Sequence, residues 1–272
     1  MNSIVDPGYT HMYRRPEMPA QCHDFRKNVI VCNPDYYLYH EMQLGLADFR
    51  NDHSSWSFIV DQCWPDHCYN GRPADGAVVS MMSTEIVRSW KSFAGKLINV
   101  SHSLETYPVP SVYSDDLAVG ELAADHFLER CFEHFAFFGA LAYAHSRERL
   151  AGFERGLQSR SPNSPEVAVY EPPQGKDFFQ DLFSKRLLDW LDSLPRPLAV
   201  FVYDDLLAGY LTEFLIDNSV QVPDDIAILG VNDDVRLCMM ARVPLSSVSL
   251  DGHQMGYRAG YLLNRLMNEE SV

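Results

Sequence analysis

Lysine is scarce in this chain. Five residues, at 27, 91, 96, 176 and 185, stand among 22 basic side chains against 37 acidic ones, for a formal charge of −15. Phosphate backbones are held mainly by Lys and Arg, and basic residues cluster here in nothing larger than pairs such as Arg14 with Arg15 and Arg147 with Arg149. The chain by itself is therefore expected to repel nucleic acid. No stretch approaches the roughly 20 apolar residues of a membrane span. The first 27 residues place His11, Arg14, Arg15, Pro16 and Pro19 where a secretory leader needs an apolar run, so a cytoplasmic location is expected. No strand-to-helix turn carries GxGxxG or GxxxxGK[ST], which disfavours nucleotide binding. The six cysteines (22, 32, 63, 68, 131, 238) are scattered and imply no disulfides. Cys63, His67 and Cys68 lie near one another but fall short of the four ligands of a structural zinc site. Neither a metal nor a cofactor is expected.

Apolar residues, in contrast, are plentiful. At 272 residues and 46% hydrophobic content the chain can bury a core large enough for one large or two modest domains. Apolar runs predict strands at 28–32, 57–60, 76–80, 96–100, 111–113, 134–139, 166–170, 198–203, 226–231 and 246–250. Helical spacing predicts helices at 36–50, 83–94, 117–129, 147–158, 178–194, 206–218 and 253–267, with a loop or short helix leading to Met240. The helix at 117–129 offers Leu117, Leu122, His126 and Phe127 as its apolar face. Such alternation calls for parallel strands joined by right-handed crossovers, an α/β fold. Ten strands more often split into two sheets than form one, and two sheets leave a cleft between them.

Three Asp-Asp pairs end apolar runs: Asp115 with Asp116 after 108–113, Asp204 with Asp205 after 198–203, and Asp233 with Asp234 after 226–231. In an open α/β sheet, ligands bind just beyond the carboxyl ends of the strands, so these pairs point to one crevice built from distant segments. A fourth pair, Asp224 with Asp225, precedes its strand and is expected in a turn. The bland alternative for Asp115 or Asp204 is the capping of the helix that follows.

The segments SRERLAGFERGL (146–157) and VPDDIAILGVNDD (222–234) resemble the effector-binding core of lactose-repressor-family regulators. So do PLSSVSL (244–250), DDLAVGELAADHFLERCFEHFAFFGA (115–140) and AVFVYDDLLAG (199–209), which follow the family's order. DWLDSLPRP (189–197) and VPLSSVSLDGHQMGYRAGYLLNRLM (243–267) are similar to the branch of xylose-operon activators, whose DNA-binding part is a C-terminal arabinose-activator-type domain. The resemblance implies a fold of the periplasmic-binding-protein type, with two Rossmann-like subdomains joined by three crossovers and closing on a small sugar. It implies an arm at 1–27, a first subdomain at 28–131 plus 247–268, a second at 132–246, and a tail at 269–272. No helix-turn-helix precedes Asn28 and the sequence stops at Val272, so the chain is expected to be an isolated or truncated sensor. A homodimer is expected, reaching operator DNA through a domain absent from this chain.

Carried over residue by residue, the resemblance makes Asp115 and Asp204 sugar-facing, with Asp205 as an alternative to Asp204. At the third strand end Asn232 stands where the family motif Gly-x-Asp-Asp has its ligand-facing Asp. That exchange removes a charge, keeps an acceptor and adds two donors. Arg149 matches the family's hydroxyl-clamping arginine. Its spacing from Glu148 and Glu154 is poor for an intrahelical ion pair, which leaves ligand contact or a salt bridge across the cleft. Asn33 and Asp35 would supply the opposite wall, and Tyr36, Tyr37 or Trp64 could stack on the sugar ring, with core packing or a dimer surface the competing role for such aromatics.

Two other classes compete. Paired Asp at strand ends can hold Mg²⁺ for phosphoryl transfer, but such sites also need a lysine near the phosphate. No lysine here ends a strand bearing an acidic pair. A transport-type sugar-binding protein shares the fold but requires a signal sequence.

Overall fold

The computed structural model describes residues 27–34, 37–53, 55–62, 71–160, 166–172 and 184–270. The first sheet comprises β1 (Lys27–Asn33), β2 (Trp56–Gln62), β3 (Gly76–Val79) and β4 (Lys96–Asn99), in the order β2-β1-β3-β4. The second comprises β5 (His134–Phe138), β6 (Ala168–Tyr170), β7 (Leu198–Val202), β8 (Ile226–Val231) and β9 (Ser246–Val248), in the order β6-β5-β7-β8-β9. All pairings are parallel, with Cys32 opposite both Asp61 and Val79 and Phe137 opposite Phe201. The expected split into two parallel sheets is what the chain forms. The expected strand at 111–113 shrinks to one parallel bridge between Asn99 and Ser111.

The central strands are uninterrupted apolar runs because both their faces are covered. Under the first sheet, Val29, Val31, Val78 and Ile98 pack with Tyr39, Met42, Leu46 and Phe49 of α1 (Tyr37–His53). Met255, Ala259 and Leu263 of α8 (Gly252–Met267) join the same cluster. Ile30, Ala77 and Val79 pack on the other face with Ile86 of α2 (Thr84–Ser89), and with Trp90 and Phe93. The second sheet has its own two cores. Phe138, Val200, Val202 and Ile228 meet Leu187 and Leu191 of α5 (Lys185–Asp192) and Leu211 and Leu215 of α6 (Asp205–Asp217). Phe135, Phe137, Phe201 and Leu229 meet α3 (Asp116–Leu128) and α4 (Ala144–Arg160). Each fully buried Phe or Leu contributes about 1.5–3 kcal/mol relative to exposure. The expected helix start at 178 lies outside the described residues.

The sequence reading grouped α3 with the first unit and gave it an apolar face including Leu122 and His126. The structure differs on both points. Leu122 is exposed, and the buried stripe is Val119, Gly120, Ala123, Ala124 and Phe127, which lies on α4 and the second sheet. Small residues rather than large ones mark this face because the two backbones touch. A Cβ on Gly120 would sit 2.1 Å from the Arg149 carbonyl oxygen, and one on Gly152 would sit 2.0 Å from that of Leu117.

Among the described residues the chain passes between the units twice, from β4 to α3 and from β9 to α8. The turn between α6 and β8 contains Asp224 and Asp225, as expected, and Asp225 accepts from the Gln221 N–H at 3.1 Å. No described helix is long and apolar enough to cross a membrane.

Candidate functional site

The close α3–α4 approach sets the position of Arg149, three residues before Gly152, against Asp116, four before Gly120. Arg149 is 5% exposed; its Nε donates to Asp116 Oδ1 at 2.8 Å and its Nη1 to the Tyr203 carbonyl at the end of β7. A guanidinium has five N–H donors, so these bonds use two. Asp116 is wholly buried and also accepts from His102 Nδ1 at 2.7 Å and from Ser114 Oγ at 3.2 Å. Burial alone would raise its pKa, but the His102 bond and the Arg149 charge outweigh that and hold the carboxyl below its usual value.

The segment after β4 of the first sheet closes over this pair. His102 stacks on Tyr113, with ring centroids 4.1 Å apart, and its Nε2 lies 3.6 Å from Glu148. Carbonyls of His102 and Ser103 accept the N–H groups of His145 (2.9 Å) and Ala144 (3.1 Å) at the start of α4, satisfying donors a helix end leaves open. Burial, helped by Arg149, pushes the His145 pKa down to about 4, so the ring is neutral at pH 7.

His102, Asp116 and Glu148 are the one group among the described residues close enough to hold a metal ion, with ligand atoms within 4.8 Å. They fit it poorly, because Asp116 already carries a guanidinium and an imidazole N–H, and the adjacent Arg149 charge opposes a second cation. Cys63, His67 and Cys68 lie outside the described residues.

The expected site residues separate into those at the junction and those engaged elsewhere. Asn33, at the end of β1, is 2% exposed, and neither carboxamide atom has a hydrogen-bond partner. Asp35, Tyr36 and Trp64 lie outside the described residues. Asp115 is exposed and caps α3 through the Ala118 N–H at 3.0 Å, so the capping alternative is the one realised. Its neighbour Asp116 is the carboxylate that meets Arg149. Asp204 caps α6 through the Leu207 N–H at 2.7 Å; its carboxyl is half-buried and burial raises its pKa.

Asp205 is corrected out of the cleft. It is wholly buried beneath β8 and β9, taking the Ser247 hydroxyl at 2.6 Å and the Asp234 N–H at 2.8 Å. Burial lifts its pKa to about 6. Gly230 makes room for it, since a Cβ there would stand 2.2 Å from Asp205 Oδ1. Asp234 caps α7 (Val235–Met240).

Asn232 adopts a left-handed φ of 113° and its N–H donates to Val248 O at 3.0 Å. With Tyr37, Glu41, Asp233 and Asp251 it lines a cavity of about 350 Å³ between α1 and the end of β8. A larger cavity, about 440 Å³, lies at the opposite, amino ends of the strands, bordered by Pro197, Pro223 and Pro244, and contains none of these residues.

Sequence reasoning missed Asp116, His102 and Ser146. The spacings Gly120-x-x-x-Ala124 and Gly152-x-x-x-Gly156 are a signal that could have found Asp116, because they mark where two helices cross and which neighbours face each other. The second and third acidic pairs meet, the Asp234 N–H donating to Asp205, while Asp116 of the first is held by Arg149.

Comparison with known proteins supplies the remaining findings. The periplasmic binding protein-like domain matches residues 124–272. The xylose operon regulatory protein of Haemophilus influenzae is 25% identical over 169 residues, covering 61% of this chain and 43% of that protein. Its namesake in Escherichia coli K12 is 26% identical over 205 residues, covering 73% and 52%. The chain therefore spans about half the length of these curated relatives. The structure of a xylose-binding transcription activator superposes with a TM-score of 0.76 at 21% identity, over 91% of this chain and 66% of that one.

Proposed function

The chain belongs to the periplasmic binding protein-like family, and on that premise we propose that it is the sugar-sensing, effector-binding part of a transcriptional regulator. Its ligand in this reading is xylose or a related pentose. The observation that carries the reading is Arg149, buried where the segment after β4 meets the start of α4, and bound to Asp116 and to the Tyr203 carbonyl that follows β7. A sugar offers vicinal hydroxyls, each donor and acceptor, and its recognition calls for convergent neutral amides, carboxylates and a guanidinium fork. Asn33, Arg149, Asp204 and Asn232 have that chemistry, with Asp116 orienting the arginine. The two regulators that are 25% and 26% identical to this chain over the aligned residues, both named for the xylose operon, support the choice of ligand.

Sensing then requires that the sugar bind one arrangement of the units better than another, since a ligand shifts an equilibrium only by its differential affinity. The two units follow the sheets, with α3 moved to the second. Partners in this reading are a second copy of the chain and operator DNA reached through a separate DNA-binding domain, because a charge of −15 repels phosphate. The setting is cytoplasmic and the role is binding rather than catalysis. Isothermal titration of the chain with D-xylose, D-ribose and L-arabinose tests the proposal. Saturable heat with at least one pentose is expected, and no heat with any of them overturns it.

A further inference from the structure

Two buried polar side chains, one in each unit, lack hydrogen-bond partners. Asn33 belongs to the first sheet; Ser146, wholly buried in the first turn of α4, belongs to the second. An unsatisfied buried polar group costs about 1–3 kcal/mol, so each such group calls for an explanation. For Ser146 the ordinary remedy is at hand, since a serine in a helix can bond back to a carbonyl one turn earlier. It makes no such bond.

The surroundings of Ser146 keep its hydroxyl at the strand end. Gly139 directly follows β5, and a Cβ at that position would stand 2.8 Å from Ser146 Oγ and 2.5 Å from the Phe137 ring. Only glycine leaves room for the hydroxyl there. Ser146 and Arg149 are three residues apart on α4 and so share one face of the helix. The hydroxyl therefore lies on the Arg149 face of α4, at the carboxyl end of β5, a central strand, where ligands of open α/β sheets bind.

We propose that Ser146 is a ligand contact: its hydroxyl, with the Asn33 carboxamide from the facing sheet, completes its hydrogen bonds on uncharged hydroxyls of the bound sugar. This rests on the sugar-binding reading above. Both groups are neutral and each both donates and accepts, which matches a hydroxyl and not an anion. The one buried guanidinium nearby is already paired with Asp116, so sugar phosphates and sugar acids find no free charge. The same two groups tie binding to closure. Bringing the units together without sugar leaves Asn33 and Ser146 unsatisfied, while separation admits water to them; the sugar removes that penalty only from the closed arrangement.

The test is calorimetry of the parent chain, Ser146→Ala and Ser146→Cys with D-xylose and its 2-, 3- and 4-deoxy analogues, alongside thermal melts without sugar. Ser146→Ala is expected to weaken xylose binding about five- to tenfold, the size of a neutral hydrogen bond, with no lower melting temperature. One deoxy analogue should bind parent and variant equally, identifying the hydroxyl concerned. Ser146→Cys, a weak donor of similar shape, should fall between them and guards against misfolding of the alanine variant. Equal xylose affinity in parent and Ser146→Ala, with a raised melting temperature in the variant, would mark Ser146 as a core hydroxyl and overturn the inference while leaving the sugar reading intact. A parent chain that binds no pentose overturns both.

Discussion

Replacing Arg149 by Met removes the charge but keeps most of the buried hydrocarbon volume, so its effect isolates the ion pair with Asp116. Asp116 is wholly buried, and in the variant only His102 and Ser114 would face it. Removing one partner of a buried pair typically costs about 3–5 kcal/mol, because the other charge is left uncompensated. The surviving His102 bond argues for the lower end, about 3 kcal/mol, equivalent to a melting temperature roughly 6–12 °C lower for a chain of this size.

The sign of the pH dependence follows from the depressed pKa of Asp116. Its ionised form stabilises the fold above its unfolded pKa of about 4, and that stability is lost as pH falls through the lower folded value. The penalty of Arg149→Met should therefore be largest near pH 7 and shrink in acid. Urea unfolding of the parent, Arg149→Met, Asp116→Leu and the double variant forms a cycle that isolates the pair. The double variant should be more stable than Arg149→Met alone. A single variant within about 1 kcal/mol of the parent, or a coupling below about 0.5 kcal/mol, the usual limit of additivity, would refute the view that the pair organises the site.

Other outcomes follow from the same structure. Gly152→Ala should lower the melting temperature by several degrees, because its Cβ would stand 2.0 Å from a backbone oxygen, whereas Gly209→Ala, with nothing within 4 Å, should stabilise α6 by about 0.4–1 kcal/mol; parallel thermal melts distinguish them. Asp205, lifted to about 6, contributes stability below pH 4 that is lost as pH rises through 6, so Asp205→Asn should gain on the parent by about 2–3 kcal/mol between pH 4 and 7. His145, lowered to about 4, works in the opposite sense: the fold loses stability as pH falls from about 6.5 towards 4, and His145→Asn should flatten that slope in pH-dependent urea melts.

The alternation of strands and helices was readable because buried parallel strands are near-continuous apolar runs, as at 198–202 and 226–231. Assignment of α3 to a sheet was not. Periodicity tells which face of a helix is buried but not against what, and here it misled even on the face, since Leu122 is exposed while Gly120 and Ala124 are buried. At the site, position along the chain located the strand ends but could not divide labour within a dipeptide. Asp115 and Asp116 are adjacent, yet one caps a helix in solvent and the other is sealed against Arg149. The pair at 204 and 205 divides in the same way, with Asp204 capping α6 and Asp205 locked under β9 by Ser247. Such choices depend on which side of a helix start faces the neighbouring backbone, and that is set by contacts far apart in sequence.

The central claim is that strand ends from both sheets form one site for a neutral sugar. A crystal structure of the whole chain grown with D-xylose tests it most directly. The account predicts density for one sugar touching the Arg149 guanidinium, the Ser146 hydroxyl and the Asn33 carboxamide together. A sugar seated instead in the cavity beside Pro197, Pro223 and Pro244, or touching only one sheet, would contradict it.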